Sequence, residues 1–107
     1  MNKVFLIGHV GTDPETITMQ NGEITKLRLA TKEFYRDDKG VRQSITFWHN
    51  LIFKNNLSEA AATMIKKGMK IGIEGAIRYR EIEKDGAKQR FTDIMVFDFE
   101  LPAKESE

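Results

Sequence analysis

A single stretch of this chain repeats its apolar residues at a helical interval, and the other stretches long enough to form an element either alternate apolar and polar residues or, as at Val4 to Val10, are rich in β-branched and apolar ones. The helical stretch has Leu57, Ala60, Ala61, Met64 and Ile65 as its stripe, Asn56 as the expected N-cap, Glu59 placed for a capping box, and Lys66-Lys67-Gly68 as its close. Around it, strands are expected at Val4 to Val10, Ile24 to about Phe34, Arg42 to Phe53, Met69 to Arg80 and Gln89 to Leu101, with a short resumption at Ile17 to Met19. Asn21-Gly22 and Asp85-Gly86 carry the signal of tight hairpin turns, and Asp37-Asp38-Lys39-Gly40 reads as a solvated loop. Three strands, one helix and two more strands, with Gly8 and Gly11 placed for sharp bends, form the element order of a five-stranded Greek-key barrel with its helix between strands three and four.

A chain of 107 residues has room for one such domain, assigned to residues 1–101, with residues 102–107 as a short tail. The absence of cysteine excludes disulfides, thiolate zinc sites and cysteine nucleophiles. His9 and His49 are the only histidines, Asp37-Asp38 sits in a loop without further ligands, and no phosphate-cradling Gly-Lys-Ser/Thr motif occurs. Catalysis, a metal and a cofactor are therefore not expected. The apolar run at the N-terminus is too short for a signal peptide or membrane span, which makes a cytoplasmic location without membrane contact the expectation.

A formal net charge of +1 is low for a nucleic-acid binder, but it is a sum of 17 cations and 16 acids that strand alternation can sort onto different faces. In the second strand Ile24, Leu27, Leu29 and Thr31 are expected to face the core, with Lys26, Arg28, Ala30 and Lys32 opposite. In the third, Ile45, Phe47, Leu51 and Phe53 share one face and Trp48, Asn50 and Ile52 the other. In the fourth, Met69, Ile71, Ile73 and Ile77 point inward, and Arg78 and Arg80 form an outward ladder with Lys70 and Glu74. Trp48-His49 and the run Lys32-Glu33-Phe34-Tyr35-Arg36 then interleave flat aromatics with cations, which suits unpaired bases that stack while their phosphates are neutralised.

Several ordered segments carry a family resemblance. The run from Asn2 to Glu15 (Asn-Lys-Val-Phe-Leu-Ile-Gly-His-Val-Gly-Thr-Asp-Pro-Glu), Leu29-Ala30-Thr31, Trp48-His49, and Lys67-Gly68 through Ile73-Glu74-Gly75 resemble the bacterial single-stranded DNA-binding proteins. That resemblance implies an oligonucleotide-binding (OB-fold) barrel. It also implies a homotetramer that wraps single-stranded DNA in replication, repair and recombination. By the same resemblance Trp48 and Tyr35 are base platforms, while two further aromatic positions are occupied by Lys54 and Ile82. Lys3, Lys67, Arg78, Arg80 and Arg90 match family cations that touch the DNA backbone, and Lys32, Arg36, Lys54 and Lys88 are added to that set. His49 matches a residue near the subunit contact, to which Val4 and Leu6 are also assigned.

Two platforms worth roughly 1–3 kcal/mol each fall short of the approximately 8 kcal/mol of micromolar binding, so phosphate contacts and wrapping on an oligomer are expected to contribute much of the affinity. The C-terminus, Leu101 to Glu107, lacks the family's Gly-, Gln- and Pro-rich linker and acidic, phenylalanine-ended tip, so partner recruitment through such a tail is not expected. Two other readings remain at this point. One is a primosome accessory protein, a dimeric barrel bridging single strands and a helicase. The other is an oligomeric scaffold that has lost DNA binding.

Overall fold

The computed structural model describes residues 1–102; the expected tail beyond Pro102 lies outside the described residues. Six strands and one helix follow in the order β1 (Val4–Val10), β2 (Glu15–Met19), β3 (Gly22–Arg36), β4 (Arg42–Lys54), α1 (Asn56–Met64), β5 (Lys70–Lys84) and β6 (Ala87–Glu100). Five of the strands close a ring, because β1 pairs with β5, β5 with β6, β6 with β4, β4 with β3, and β3 again with β1. The sixth strand, β2, continues along β3 from where β1 leaves it: β2 pairs with Gly22 to Lys26, and β1 with Leu29 and Ala30. The expected five-stranded barrel with one helix is thus the observed one, its first strand broken in two at Gly11 to Pro14.

Closure brings backbones close together. A Cβ on Gly8 would stand 2.2 Å from the carbonyl oxygen of Ala30, where β1 crosses onto β3. On the other side, the β5–β6 register shifts at Glu74/Gly75, and a Cβ on Gly75 would meet the Met95 carbonyl at 2.3 Å. Both are tighter than any real Cβ contact, so only glycine fits. Inside the ring, Leu29, Leu51, Phe53, Ile65 and Ile71 are fully buried, and Phe99 meets Phe53 edge-to-face at 5.6 Å.

The helix plugs the barrel through Ala61, Ile65 and Ser58, and not through the whole expected stripe, since Met64 is exposed. The buried Thr25 hydroxyl lies 2.8 Å from the Ser58 hydroxyl, 3.0 Å from the Ser58 carbonyl and 2.9 Å from the Thr16 hydroxyl, which uses its one donor and two acceptor sites. Asn55, not Asn56, occupies the N-cap, at φ 57°, and no side chain caps the helix, so the expected box with Glu59 is absent. The helix also ends earlier than expected. Lys66 to Met69 form a separate turn that docks on β1 through Gly68 N–H to the Val10 carbonyl and Val10 N–H to the Met69 carbonyl, both 2.8 Å.

The Asp85-Gly86 turn is the expected one, with φ of 55° and 78° at its two residues and Lys84 paired with Ala87. At the other signal the turn is shifted by one: Met19 pairs with Gly22, so Gln20 and Asn21 are the loop residues and Gly22 takes φ 128°. The strands of both long hairpins outrun the barrel. Near the β3–β4 tip Ile45 and Phe47 are therefore exposed, where the sequence pattern assigned them to the core face, whereas Ile52, assigned outward, is buried.

Candidate nucleic-acid interface

The β3–β4 pairing runs without a register shift from Ile24↔Lys54 to Arg36↔Arg42, so alternate rows of the ribbon present constant faces. Leu27, Leu29, Leu51 and Phe53 fix the odd-numbered rows as the core side. The even-numbered face then carries Lys26, Arg28, Lys32, Arg36, Arg42 and Lys54 with Phe34 and Trp48, and no acidic residue. Glu23 and Glu33 fall on the other face. Local sorting of charge, invisible in a net charge of +1, is complete on this ribbon.

Trp48 stands in this face opposite Ala30, half exposed. Its six-membered ring lies against Gly11, where a Cβ would come within 2.1 Å of Cζ3, and the Arg28 guanidinium sits 5.0 Å from the ring centroid. Arg28 is held in turn through its backbone, which accepts from Gly11 N–H at 2.8 Å and donates to Thr12 Oγ1 at 3.0 Å. The indole is thus oriented by β1 and β3 together while much of its surface stays open.

Beside Trp48 the face turns into a groove of about 340 Å³ in which Lys26, Arg28 and Asn50 meet Arg80, Phe91 and Asp93 from the β5–β6 hairpin, with Asp13 and Glu15 on the β1–β2 side. Arg78 and Arg80 share one face of β5, as expected, but they differ in state. Arg80 donates from Nε to Asp93 Oδ2 at 2.8 Å and stacks at 4.7 Å over Phe91, and the hydrogen bond to Asp93 raises its pKa further. Asp93 is 3% exposed, and its Oδ1 has no partner.

The remaining expected contacts divide. Lys32 and Arg36 lie on the acid-free face, with Arg36 Nη1 donating to the Gly40 carbonyl at 3.0 Å; Lys54 ends the same face. Tyr35 is nearly half exposed but stands on the opposite face of the ribbon from Trp48, because it differs in parity from Ala30. Lys88 and Arg90 lie across from Glu83 and Glu81, on the β5–β6 face away from Arg80, and Arg90 stacks over Tyr79 at 4.5 Å. Lys3 is 3.7 Å from Glu74, and Lys67 is exposed in the turn after α1. Phe34, Arg28 and Arg42, which the sequence pattern does not single out as contacts, lie on the acid-free face, and Phe91 lines the groove beside it. The signal for the first was present, since Phe34 continues the outward series Lys26, Arg28, Ala30, Lys32 by one step.

The residues expected at the subunit contact differ in exposure from their neighbours. Val4 and Leu6 are half-buried against the core, and strand alternation turns Phe5 and Ile7, each about 70% exposed, outward instead. They border a second concavity of about 470 Å³ with Gly72 and Asp98. His49 is partly buried, with Nε2 2.8 Å from Thr31 Oγ1, and burial lowers its pKa.

The family model for the single-strand binding protein family matches residues 1–102. The chain belongs to that family. A single-stranded DNA-binding protein of Xanthomonas campestris pv. campestris is 36% identical over 94% of this chain and 60% of its own length, and one of Neisseria meningitidis serogroup A is 38% identical over 94% of this chain and 59% of its own. The chain therefore spans about 60% of the length of these relatives. In three dimensions it is similar to the Plasmodium falciparum single-stranded DNA-binding protein solved in complex with single-stranded DNA, with a TM-score of 0.88, 26% identity and 95% of both chains covered. Among the described residues no helix is long and apolar enough to cross a membrane, and no group of three or more His, Asp or Glu side chains is placed to hold a metal ion.

Proposed function

We propose that this chain binds single-stranded DNA without a fixed base sequence, stacking bases on Trp48 and neutralising phosphates along the even-numbered face of the β3–β4 ribbon. The observation that carries this reading is the coincidence of a half-exposed, oriented indole with six cations and no acid on one continuous face. Stacking needs only a π-face and phosphate contact only a cation, and neither reads base identity. Arg78, on the same face of β5 as Arg80, extends the cationic track, whereas Arg80 is compensated by Asp93 and adds less. Likeness to relatives named as single-stranded DNA-binding proteins supports the binding; with it goes a binding role, and no catalytic one, in replication, repair and recombination at the bacterial nucleoid.

A homo-oligomer fits the reading. Phe5, Ile7 and Phe97 leave large apolar area in water on the β1–β5–β6 side, away from the cationic face, and a partner copy would cover it. A tetramer joined there presents several copies of the binding face to one strand, which raises avidity without new contacts.

Titration of the intrinsic fluorescence of Trp48 with oligo-dT at two salt concentrations tests the binding. Quenching is expected, with log affinity falling by about 0.7 per log unit of salt for each neutralised phosphate. Fluorescence unchanged up to micromolar protein would sink the assignment. Solution mass tests the oligomer, and a substitution of Ile7 by Glu is expected to reduce it.

A further inference from the structure

Phe34 is not needed by the reading above, yet it is one of the most exposed aromatic side chains of the molecule, at 59%. It lies on the same face as Trp48, two rows further toward the hairpin tip, with Lys32 in the row between and Arg36 and Arg42 in the row beyond. The Arg42 guanidinium stacks on its ring at 4.4 Å, as Arg28 does on Trp48 at 5.0 Å. The two rings thus share one construction, an outward aromatic with an arginine at its face and the next cation one row away.

We infer that Phe34 and Arg42 form a second base-stacking site for the same single strand, with Lys32 neutralising the phosphate between the two platforms. The proposal rests on the single-strand binding reading and deepens it by fixing the path. Four residues of strand at about 3.3 Å each place the rings roughly 13 Å apart, several times the 3.4 Å spacing of bases stacked in one strand. The bases on Trp48 and Phe34 are therefore not neighbours in a continuous stack. The strand runs extended along the ribbon from the groove toward the hairpin tip, its phosphates following Arg28, Lys32 and then Arg36 and Arg42. DNA is the occupant that this face fits, because a run of cations without an acid complements a polyanion and the rings between them supply π-faces. Tyr35 does not lie on this path, since the ribbon separates it from Trp48.

The test moves the fluorophore. In a Trp48→Phe background, Phe34→Trp places the only indole at the proposed site, and oligo-dT long enough to span the ribbon is expected to quench it. Phe34→Leu, which keeps apolar bulk but loses the π-face, is expected to weaken binding of the long oligonucleotide about five-fold or more. The shortest oligonucleotide that quenches Trp48 should lose little in the Phe34→Leu variant. Quenching of Trp48 in the unmodified protein, together with an unquenched indole at position 34 and an unchanged affinity of Phe34→Leu, would overturn the second site and leave the first intact. No quenching of Trp48 itself would overturn both.

Discussion

The Trp48 ring rests on Gly11, a residue 37 positions away in the chain, so closely that a methyl group there would lie 2.1 Å from Cζ3. Gly11 has no positive φ, so its need for glycine comes from the indole and not from backbone strain. Gly11→Ala is therefore expected to displace Trp48 while leaving the barrel folded, because the ring is at the surface and can tilt outward. The expected signature is a shifted Trp48 emission and a weaker affinity for oligo-dT, with a melting temperature close to that of the unmodified protein. A variant that binds and emits as before would show that the indole has another equally good seat.

Salt dependence should follow the face of the ribbon. Lys32 lies in the row between Phe34 and Trp48, and Glu33, its neighbour in sequence, points the other way. Removing one phosphate contact from a single-strand binder lowers the magnitude of the salt slope by about 0.7. Lys32→Gln is expected to produce that change and Glu33→Gln to produce none, measured as affinity for oligo-dT over a range of salt concentrations. Equal effects of the two substitutions would disprove the sorting of charge.

Asp93 compensates Arg80 inside the groove. Asp93→Asn keeps the shape but removes the negative charge, leaving Arg80 an uncompensated cation beside the path of the DNA. Tighter binding at low salt is expected, with a slope steeper by up to about 0.7. The cost to folding should be small for a buried carboxylate, because Oδ1 already lacks a partner and Arg80 is exposed enough to remain solvated. An unchanged slope would mean that Arg80 stays away from phosphate in either form.

Stability should fall on mild acidification because of His49. Burial holds its pKa below the ordinary value of 6.5, so in that window the unfolded chain binds more protons than the folded one. Stability is complete above about pH 6.5 and is lost as the pH falls through the lowered pKa. His49→Gln is expected to flatten denaturant-derived stability between about pH 7.5 and 5. Asp37 acts in a separate window: hydrogen bonds from Val41 N–H, Gln43 and Lys39 N–H lower its pKa from 3.8, so its contribution is lost only in stronger acid. A pH profile of the variant that parallels the unmodified protein would rule out His49 as the cause.

The elements of the fold were legible wherever the signal is local. Asp85-Gly86 needs two adjacent residues at positive φ, and that requirement is written in the dipeptide. Alternation likewise placed Leu29, Leu51 and Phe53 in the core and Trp48 on the other side. It failed at Ile45 and Phe47, which have the core parity but stand where the ribbon has already left the barrel and nothing covers them. It failed in the opposite direction at Ile52, outward by parity and yet buried.

The site divides along the same line. Sequence by itself determined the succession of strands and helix along the chain, the hairpin at Asp85-Gly86, Trp48 as an outward aromatic and the presence of cations near it, because each depends on neighbours within a few residues. Only the tertiary structure decided that Phe34 lies two rows from Trp48 across the ribbon, that Arg80 is held by Asp93, and that Gly11 seats the indole. Those relationships depend on strand register and on barrel closure, which join residues tens of positions apart through backbone pairing and steric fit that no local pattern records.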